Sequence, residues 1–268
     1  MDFETIMYEL DREAHLAIVT LNQPEKLNAI NRQMMSDILG VCEEIQNDDD
    51  VWVVIWTGAG RGFCSGAQVG AGPRPGLDEN APLNERLDEE SWISRQGKAL
   101  YSVDKPMIAA VNGVAAGAGF SLALCCDIRV GSNNAGFVTV YSQRNLPPEG
   151  GMSYMLPRIV GMGRAMDLLL TSRRIDAQEA YRIGLLERLV APDSLMSEVR
   201  GIAERICEIP PGAVRVTKRT VRKSMDSDFS GATGFETLGG RLTAQTPKDA
   251  AESRASFVEK RKPDYSGR

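Results

Sequence analysis

A chain of 268 residues, 43% hydrophobic and 25% charged, has the composition of a soluble globular protein and is long enough to bury a full core. A net charge of −5 with no long basic stripe argues against nucleic acid as a main partner. No apolar run approaches the roughly 20 residues of a membrane span, and the acidic start MDFETIMYELDRE lacks the layout of a signal peptide. Five cysteines (Cys42, Cys64, Cys125, Cys126 and Cys207), odd in number and without a CxxC pair, read as reduced thiols and predict a cytoplasmic protein. His15 is the only histidine. A His-rich metal site is thereby excluded, and any Ser-His-Asp or Cys-His mechanism has to use that one residue. Its setting, DREAHLAIV, reads as the turn of a hairpin and a structural role.

Residues 3–21 alternate around a polar break at Asp11-Arg12-Glu13, the pattern of a β-hairpin, and Pro24 stops the second strand. Asn31 is placed to cap a helix through about Asn47, with Met34, Met35, Ile38, Leu39, Cys42 and Ile45 at helical spacing. Val51 to Trp56 reads as a buried strand, followed by the glycine loop Thr57 to Phe63 and the small-residue turn Cys64-Ser65-Gly66-Ala67. The GAGRG of that loop fits a dinucleotide fingerprint poorly, because its third glycine is one position early and no helix follows directly. Residues 70–90, rich in Gly, Pro and charge, predict a mobile surface loop that gives way to a helix near Leu87 to Ser102.

The chain is organised around Pro106 to Asp127. Met107 to Val111 is a short apolar run of strand length, Asn112-Gly113 breaks it, and Phe120 to Cys126 reads as an apolar helix. Gly117, Ala118 and Gly119 stand where that helix should start. The first amides of a helix lack intrahelical partners and lie at the positive end of its dipole. Side chains no larger than methyl let a ligand oxygen approach them. Two readings follow: an anion or oxyanion site built of backbone N–H groups, or small residues that let a buried helix pack tightly. The order strand, glycine break, small-residue turn occurs twice, after Trp56 and after Val111, which predicts two turns converging on one site.

Further on, Ile128 to Val130 predicts a strand, and Glu149-Gly150-Gly151 precedes a helical run from Met152 to Ile159. A second helix runs through Leu170, Asp176 caps a short helix, and Leu186 to Val190 reads as a strand. From Pro192 onward the pattern is almost wholly helical. Its last segment, Asp249 to Lys262, puts Ala251, Ala255 and Val258 on one face.

Five motifs in this order resemble the enoyl-CoA hydratase/isomerase (crotonase) superfamily: LNQPEKLNAIN (21–31), GRGFCSGA (60–67), AAVNGVAAGAGFSLALCCDIRV (109–130), residues 146–186 beginning LPPEGGMSYMLPRIVG, and SFVEKRKP (256–263). The resemblance implies an α/β fold, a crotonase-like spiral of ββα turns over 1–191, with a C-terminal helical trimerisation region over 192–268. It implies a trimer or dimer of trimers and an acyl-CoA thioester substrate, with no cofactor beyond the coenzyme A of that substrate. It implies that the amides of Ala67 and Ala118 hold the thioester oxygen as it becomes an enolate. Ser65, Gly66 and Gly117 frame those turns. Lys26 and Ala29 in the first motif and Phe257 and Lys260 in the last match substrate-binding positions, with Lys260 directed toward a neighbouring subunit's ligand.

The hydratases of the family grip the attacking water with two carboxylates. Those positions fall here on Ser121 and Tyr141, neither of which is an acid; both are assigned to substrate binding, Tyr141 to orient the acyl chain or fill the pocket and Ser121 to bond a water or make room. Glu149, in PPEGGMSY, resembles the catalytic glutamate of the peroxisomal-type Δ3,Δ2-enoyl-CoA isomerases. One carboxylate that removes a C2 proton and returns it at C4 suffices for such a reaction. The structural alternative is a carboxylate stabilising a helix N-terminus. Burial would raise the proton affinity of Glu149 and a helix N-terminus would lower it. Hydration or lyase chemistry with Glu149 as sole acid and base, and a non-catalytic acyl-CoA binder, are the competing readings. A dehalogenase-like role lacks the histidine it draws on. The Clp-type serine peptidases share the superfamily's fold, and a peptidase reading requires Ser65 to meet His15.

Overall fold

The computed structural model describes residues 3–68, 83 and 90–267. The hairpin forms as β1 (Ile6–Asp11) and β2 (Leu16–Leu21), antiparallel from Ile6 opposite Leu21 to Asp11 opposite Leu16. The Asp11 carboxylate closes its turn by accepting from the amides of Glu13 (3.1 Å) and Ala14 (3.0 Å). Helix α1 (Arg32–Asn47) starts where expected, its Asn31 cap accepting from Met34 N at 2.8 Å. The next strand, β3 (Val53–Gly58), begins two residues later than its apolar run, because the amides of Trp52 and Val53 are tied to His15 O in the hairpin turn.

From there the chain repeats one step. A strand is laid in a first sheet, a short strand in a second, and a helix returns. The first sheet receives β3, β5 (Met107–Val111) and β7 (Ile128–Ser132). The second receives β4 (Gly62–Cys64), β6 (Val114–Ala116) and β8 (Gly136–Val138). The returning helices are α2 (Trp92–Ser102), α3 (Ala118–Cys125) and, after β8, α4 (Met152–Val160) with α5 (Met162–Thr171). Then β9 (Ile175–Asp176) closes the second sheet, α6 (Ala177–Arg182) follows, and β10 (Arg188–Val190) closes the first. Strand orders are β1-β2-β3-β5-β7-β10 and β4-β6-β8-β9, parallel from β2 to β10 and from β4 to β8. This is the expected α/β spiral of ββα turns.

Residues 192–267 are helical: α7 (Leu195–Cys207), α8 (Pro211–Ser224), α9 (Phe229–Thr243) and α10 (Pro247–Glu259). Although it lies beyond residue 191, α7 belongs to the core of the first sheet, packing Leu195, Val199, Ile202 and Ala203 on Ile18, Val53, Ile55 and Ile108. α8 docks through charge. Lys218 pairs with Asp127 (2.7 Å), Arg222 with Asp127 (2.9 Å) and Arg215 with Asp104 (2.9 Å).

Helix α10 does not lay its apolar stripe on its own core. Its inward residues are Asp249 and Ser256, whereas Ala251 and Val258 face solvent. The cause is the chain end, which folds back over the polar face: Ser266 N donates to Asp249 Oδ1 (2.8 Å), Asp264 N to Glu252 Oε1 (2.8 Å), and Arg261 pairs with Glu252. All five cysteines are free thiols. The predicted loop over 70–90 and the first turns of its helix lie, apart from Leu83 and Glu90, outside the described residues.

Candidate active site

Strands β4, β6 and β8 are adjacent and parallel, so their C-terminal ends open on one edge. The turn carrying Ala67 leaves β4, the turn carrying Ala118 leaves β6, and Tyr141 follows β8. The two turns meet. A methyl on Gly66 would stand 3.4 Å from Ala118 N and 2.6 Å from Ala116 O. Gly66 also has φ +91°, and Gly117 takes φ +48°, ψ −120° with Val140 Cγ2 2.9 Å from where its Cβ would be. Only glycine suits either place.

Both amides in question are left over by the backbone pairing around them. Ala67 sits opposite Ile30 in a parallel bridge in which Ile30 makes both bonds, donating to Gly66 O (2.8 Å) and accepting from Gln68 N (2.8 Å). The N–H of Ala67 therefore points away from Ile30. Ala118 is the first residue of α3, where the helix leaves the amide unpaired. Its φ is not positive, which is why alanine is tolerated there. The helix begins two residues before the apolar run that predicted it.

Two residues that sequence reasoning passed over hold these turns. Asn28, fully buried, donates from Nδ2 to Ala59 O (3.0 Å), Gly62 O (2.9 Å) and Phe63 O (3.2 Å), and accepts from Gln23 N (2.9 Å). Gln96, also fully buried, donates from Nε2 to Ala118 O (3.2 Å). Its signal was available: a lone amide among Ile93, Gly97 and Leu100, the buried face of α2. Cys64, beside the hole, is pushed up to about 12 by burial, with a backbone hydrogen bond at Gly66 opposing, and is an inert thiol.

Glu149 is half-buried just before α4. Burial raises its proton affinity above the ordinary carboxylate value, and the Ser91 hydroxyl beside it partly offsets that rise. The polar side chain beside the carboxylate is Ser91, the N-cap of α2. Ser121 and Tyr141 are both buried and turn their hydroxyls toward the same segment. Ser121 Oγ donates to the carbonyl of Glu149 (2.8 Å), Tyr141 OH lies 3.3 Å from Ser121 Oγ and 3.4 Å from that carbonyl.

The other expected positions divide. Ser65 Oγ donates to Lys26 O (3.2 Å), which puts Ser65 and the exposed Lys26 on the rim of the Ala67 turn, and Ala29 is buried beneath it. Phe257, 85% exposed, and Lys260 stand at the free end of α10, and no hydrogen bond among the described residues ties them to the two turns. Ser65 does not meet His15, whose ring stacks on Trp52 at 3.7 Å while its Nδ1 contacts Asp50 O.

The family model for enoyl-CoA hydratase/isomerase matches residues 11–268. The chain belongs to that family. It is 36% identical over 258 residues to the short-chain-enoyl-CoA hydratase of Clostridium acetobutylicum, covering 94% of this chain and 95% of the relative. It is 30% identical to the 1,2-epoxyphenylacetyl-CoA isomerase of Escherichia coli, covering 96% and 97%. Among solved structures it superposes on a putative enoyl-CoA hydratase from Streptomyces coelicolor with a TM-score of 0.89 at 32% identity, covering 100% of this chain and 96% of the other.

Proposed function

We propose that the protein is an enoyl-CoA isomerase that moves a double bond from the 3,4 to the 2,3 position of an acyl-CoA. The thioester oxygen is received between the amides of Ala67 and Ala118. The Glu149 carboxylate removes a C2 proton, the electron pair delocalises onto the thioester oxygen as a dienolate, and the proton returns at C4. Reactant and product have the same composition, so no water or cofactor enters. Two oriented amides stabilise the developing oxyanion, and removing one such donor costs roughly 10²–10³-fold in rate elsewhere.

One observation carries this reading. Glu149 is a carboxylate with raised proton affinity, while the two flanking positions hold hydroxyls that are engaged with its own carbonyl. A second reading, hydration of a 2-enoyl-CoA with Glu149 as the sole acid and base, is favoured by the hydratase names of several relatives. The test is turnover of 3-hexenoyl-CoA and of crotonyl-CoA by wild type and Glu149→Gln side by side. Isomerisation that falls about 10²-fold or more in the variant supports the first reading. Efficient hydration of crotonyl-CoA that also depends on Glu149 supports the second. Acyl-CoA binding without turnover of either, unchanged in Glu149→Gln, marks a binder. The exposed Phe229, Phe257 and Val258 support a homotrimer or dimer of trimers, which sedimentation velocity checks.

A further inference from the structure

We propose that Ser121 and Tyr141 form a latch on the Glu149 peptide, so that both are positioning residues acting through Glu149 and neither is a substrate contact. The inference rests on the role given to Glu149 above.

The segment between Tyr141 and α4 is fastened early, by Ser142 Oγ to Leu169 O (2.7 Å) and Gln143 Nε2 to Ser172 O (3.2 Å), and has fewer ties from Pro147 to α4. Asn145 is left-handed (φ 56°), Pro147 and Pro148 have no amide hydrogen, and Gly150 and Gly151 both take positive φ (66° and 84°). Leu146 N still reaches Tyr141 O (3.1 Å). Across Pro147 to Gly150 the strongest tie is the carbonyl of Glu149. It accepts from Ser121 Oγ at 2.8 Å and from Met152 N at 3.3 Å, with Tyr141 OH at 3.4 Å.

The proton count fixes the direction of the bonds. Ser121 has a single hydroxyl hydrogen, and its 2.8 Å contact is to an oxygen that only accepts, so Ser121 donates to Glu149 O. The Tyr141 hydroxyl also has one hydrogen, which it shares between Ser121 Oγ at 3.3 Å and the Glu149 carbonyl at 3.4 Å. Both hydroxyls therefore converge on the Glu149 carbonyl, Ser121 through the shorter contact and Tyr141 through the longer.

The latch is also stationed to set position. Ser121 lies one helical turn beyond Ala118 on α3, and Tyr141 follows β8, the strand beside the one that delivers Ala118. Ser121 is packed so closely on the next residue that a methyl on Gly150 would come 3.0 Å from Ser121 Cβ. Glu149 is thus fastened to the helix whose first amide forms half of the oxyanion hole. Misplacing a reacting group by about an ångström can cost on the order of 10²-fold in rate.

The experiment combines Ser121→Ala, Tyr141→Phe and Glu149→Gln, singly and in pairs, with amide hydrogen exchange over 146–155. Ser121→Ala is expected to lower kcat for 3-hexenoyl-CoA about tenfold or more while leaving KM within roughly twofold. Added to Glu149→Gln it should lower the residual rate no further, and Tyr141→Phe, which removes the longer of the two contacts, should cost less than Ser121→Ala. Exchange should speed up at Gly150–Met152 and stay unchanged in α1. A rise in KM with kcat held, or an equal rate loss with and without Glu149, overturns the latch, and so does unchanged exchange at Gly150–Met152. Should Glu149→Gln retain full activity, the isomerase reading fails separately, and the exchange experiment still decides whether the latch exists.

Discussion

Gly97 of α2 and Gly150, the residue after Glu149, are in backbone contact: a methyl on Gly97 would lie 2.7 Å from the carbonyl carbon and oxygen of Gly150. The obstacle is backbone, so a larger residue cannot be accommodated by a rotamer change. Gly97→Ala should push the Glu149 segment away from α2, and with it the carboxylate away from Ser91. The expected result is a fall in kcat of roughly 10–100-fold with acyl-CoA affinity retained, measured by steady-state turnover beside calorimetric binding. A variant with wild-type kcat would mean that the Glu149 segment does not depend on this contact.

Glu149 makes a prediction about stability whose sign can be worked out. Its folded-state proton affinity is raised by burial, so the native state binds a proton more tightly than the unfolded chain. Between the ordinary carboxylate value and the raised one, stability therefore falls as pH rises. Glu149→Gln removes the ionisation and should melt higher than wild type at neutral pH. The gain should vanish below the ordinary carboxylate range, where both side chains are uncharged. The activity of wild type should show the complementary limb, declining as pH drops through the raised value because the base becomes protonated. Thermal melts at several pH values and a pH–rate profile check the pair.

Those two residues also mark how far the sequence could be read. The hairpin, the Asn31 cap and the strand Met107 to Val111 were legible because each depends on neighbours a few positions away. The two small-residue turns were legible for the same reason, since Gly66, Ala67, Gly117 and Ala118 announce close approach by their size. Convergence of the two turns followed from their repeated pattern and is realised by the parallel pairing of β4 with β6. What was not legible rests on contacts between distant segments. Asn28 reaches carbonyls more than 30 positions away, Gln96 reaches Ala118, and Ser121 spends its hydroxyl on Glu149 O. The start of α3 at Ala118 falls among the small residues that marked it, and tertiary packing explains the glycine inside its first turn. A methyl on Gly119 would sit 2.3 Å from Cys64 O, so this helical glycine is present for its lack of bulk. The inward face of α10 was not legible because it is fixed by the chain end, which bonds to Asp249 and Glu252.

The docking of α8 is predicted to depend on Asp127. Its carboxylate is shared by Lys218 and Arg222, whose side chains are largely buried, and it also accepts from Met107 N at 2.8 Å. Asp127→Asn keeps an acceptor for the amide and removes the charge opposite two cations. Breaking one partner of a buried pair costs about 3–5 kcal/mol, and a loss of that order is expected in urea unfolding. Burial already lowers the proton affinity of Lys218, with Asp127 opposing that shift. A base held below its ordinary value makes the folded state gain stability as pH rises through that window. The Asp127→Asn defect should accordingly shrink as Lys218 loses its proton on the alkaline side, and a defect independent of pH would place the loss elsewhere.

Asn28 is the clearest case of a side chain that holds the site without touching substrate. It sits in the left-handed region at φ 55°, which asparagine accepts more readily than most residues. From there its amide ties together the turn after β2 and the β3–β4 loop, through Gln23, Ala59, Gly62 and Phe63. Cys64 Sγ adds a contact to its backbone carbonyl at 3.0 Å. Asn28→Ala would leave several buried polar groups without partners, and each costs about 1–3 kcal/mol. Asn28→Asp separates shape from chemistry. It is nearly isosteric and keeps an acceptor for Gln23 N, yet it turns a carboxylate oxygen toward three carbonyls in place of a donor. Aspartate should therefore be at least as harmful as alanine in urea unfolding, a result that loss of volume alone does not produce. Because the β3–β4 loop leads into the Ala67 turn, both variants should also lose kcat at temperatures where they remain folded. Equal stability of Asn28→Asp and wild type would show that the hydrogen bonds from Nδ2 contribute nothing to holding the turn.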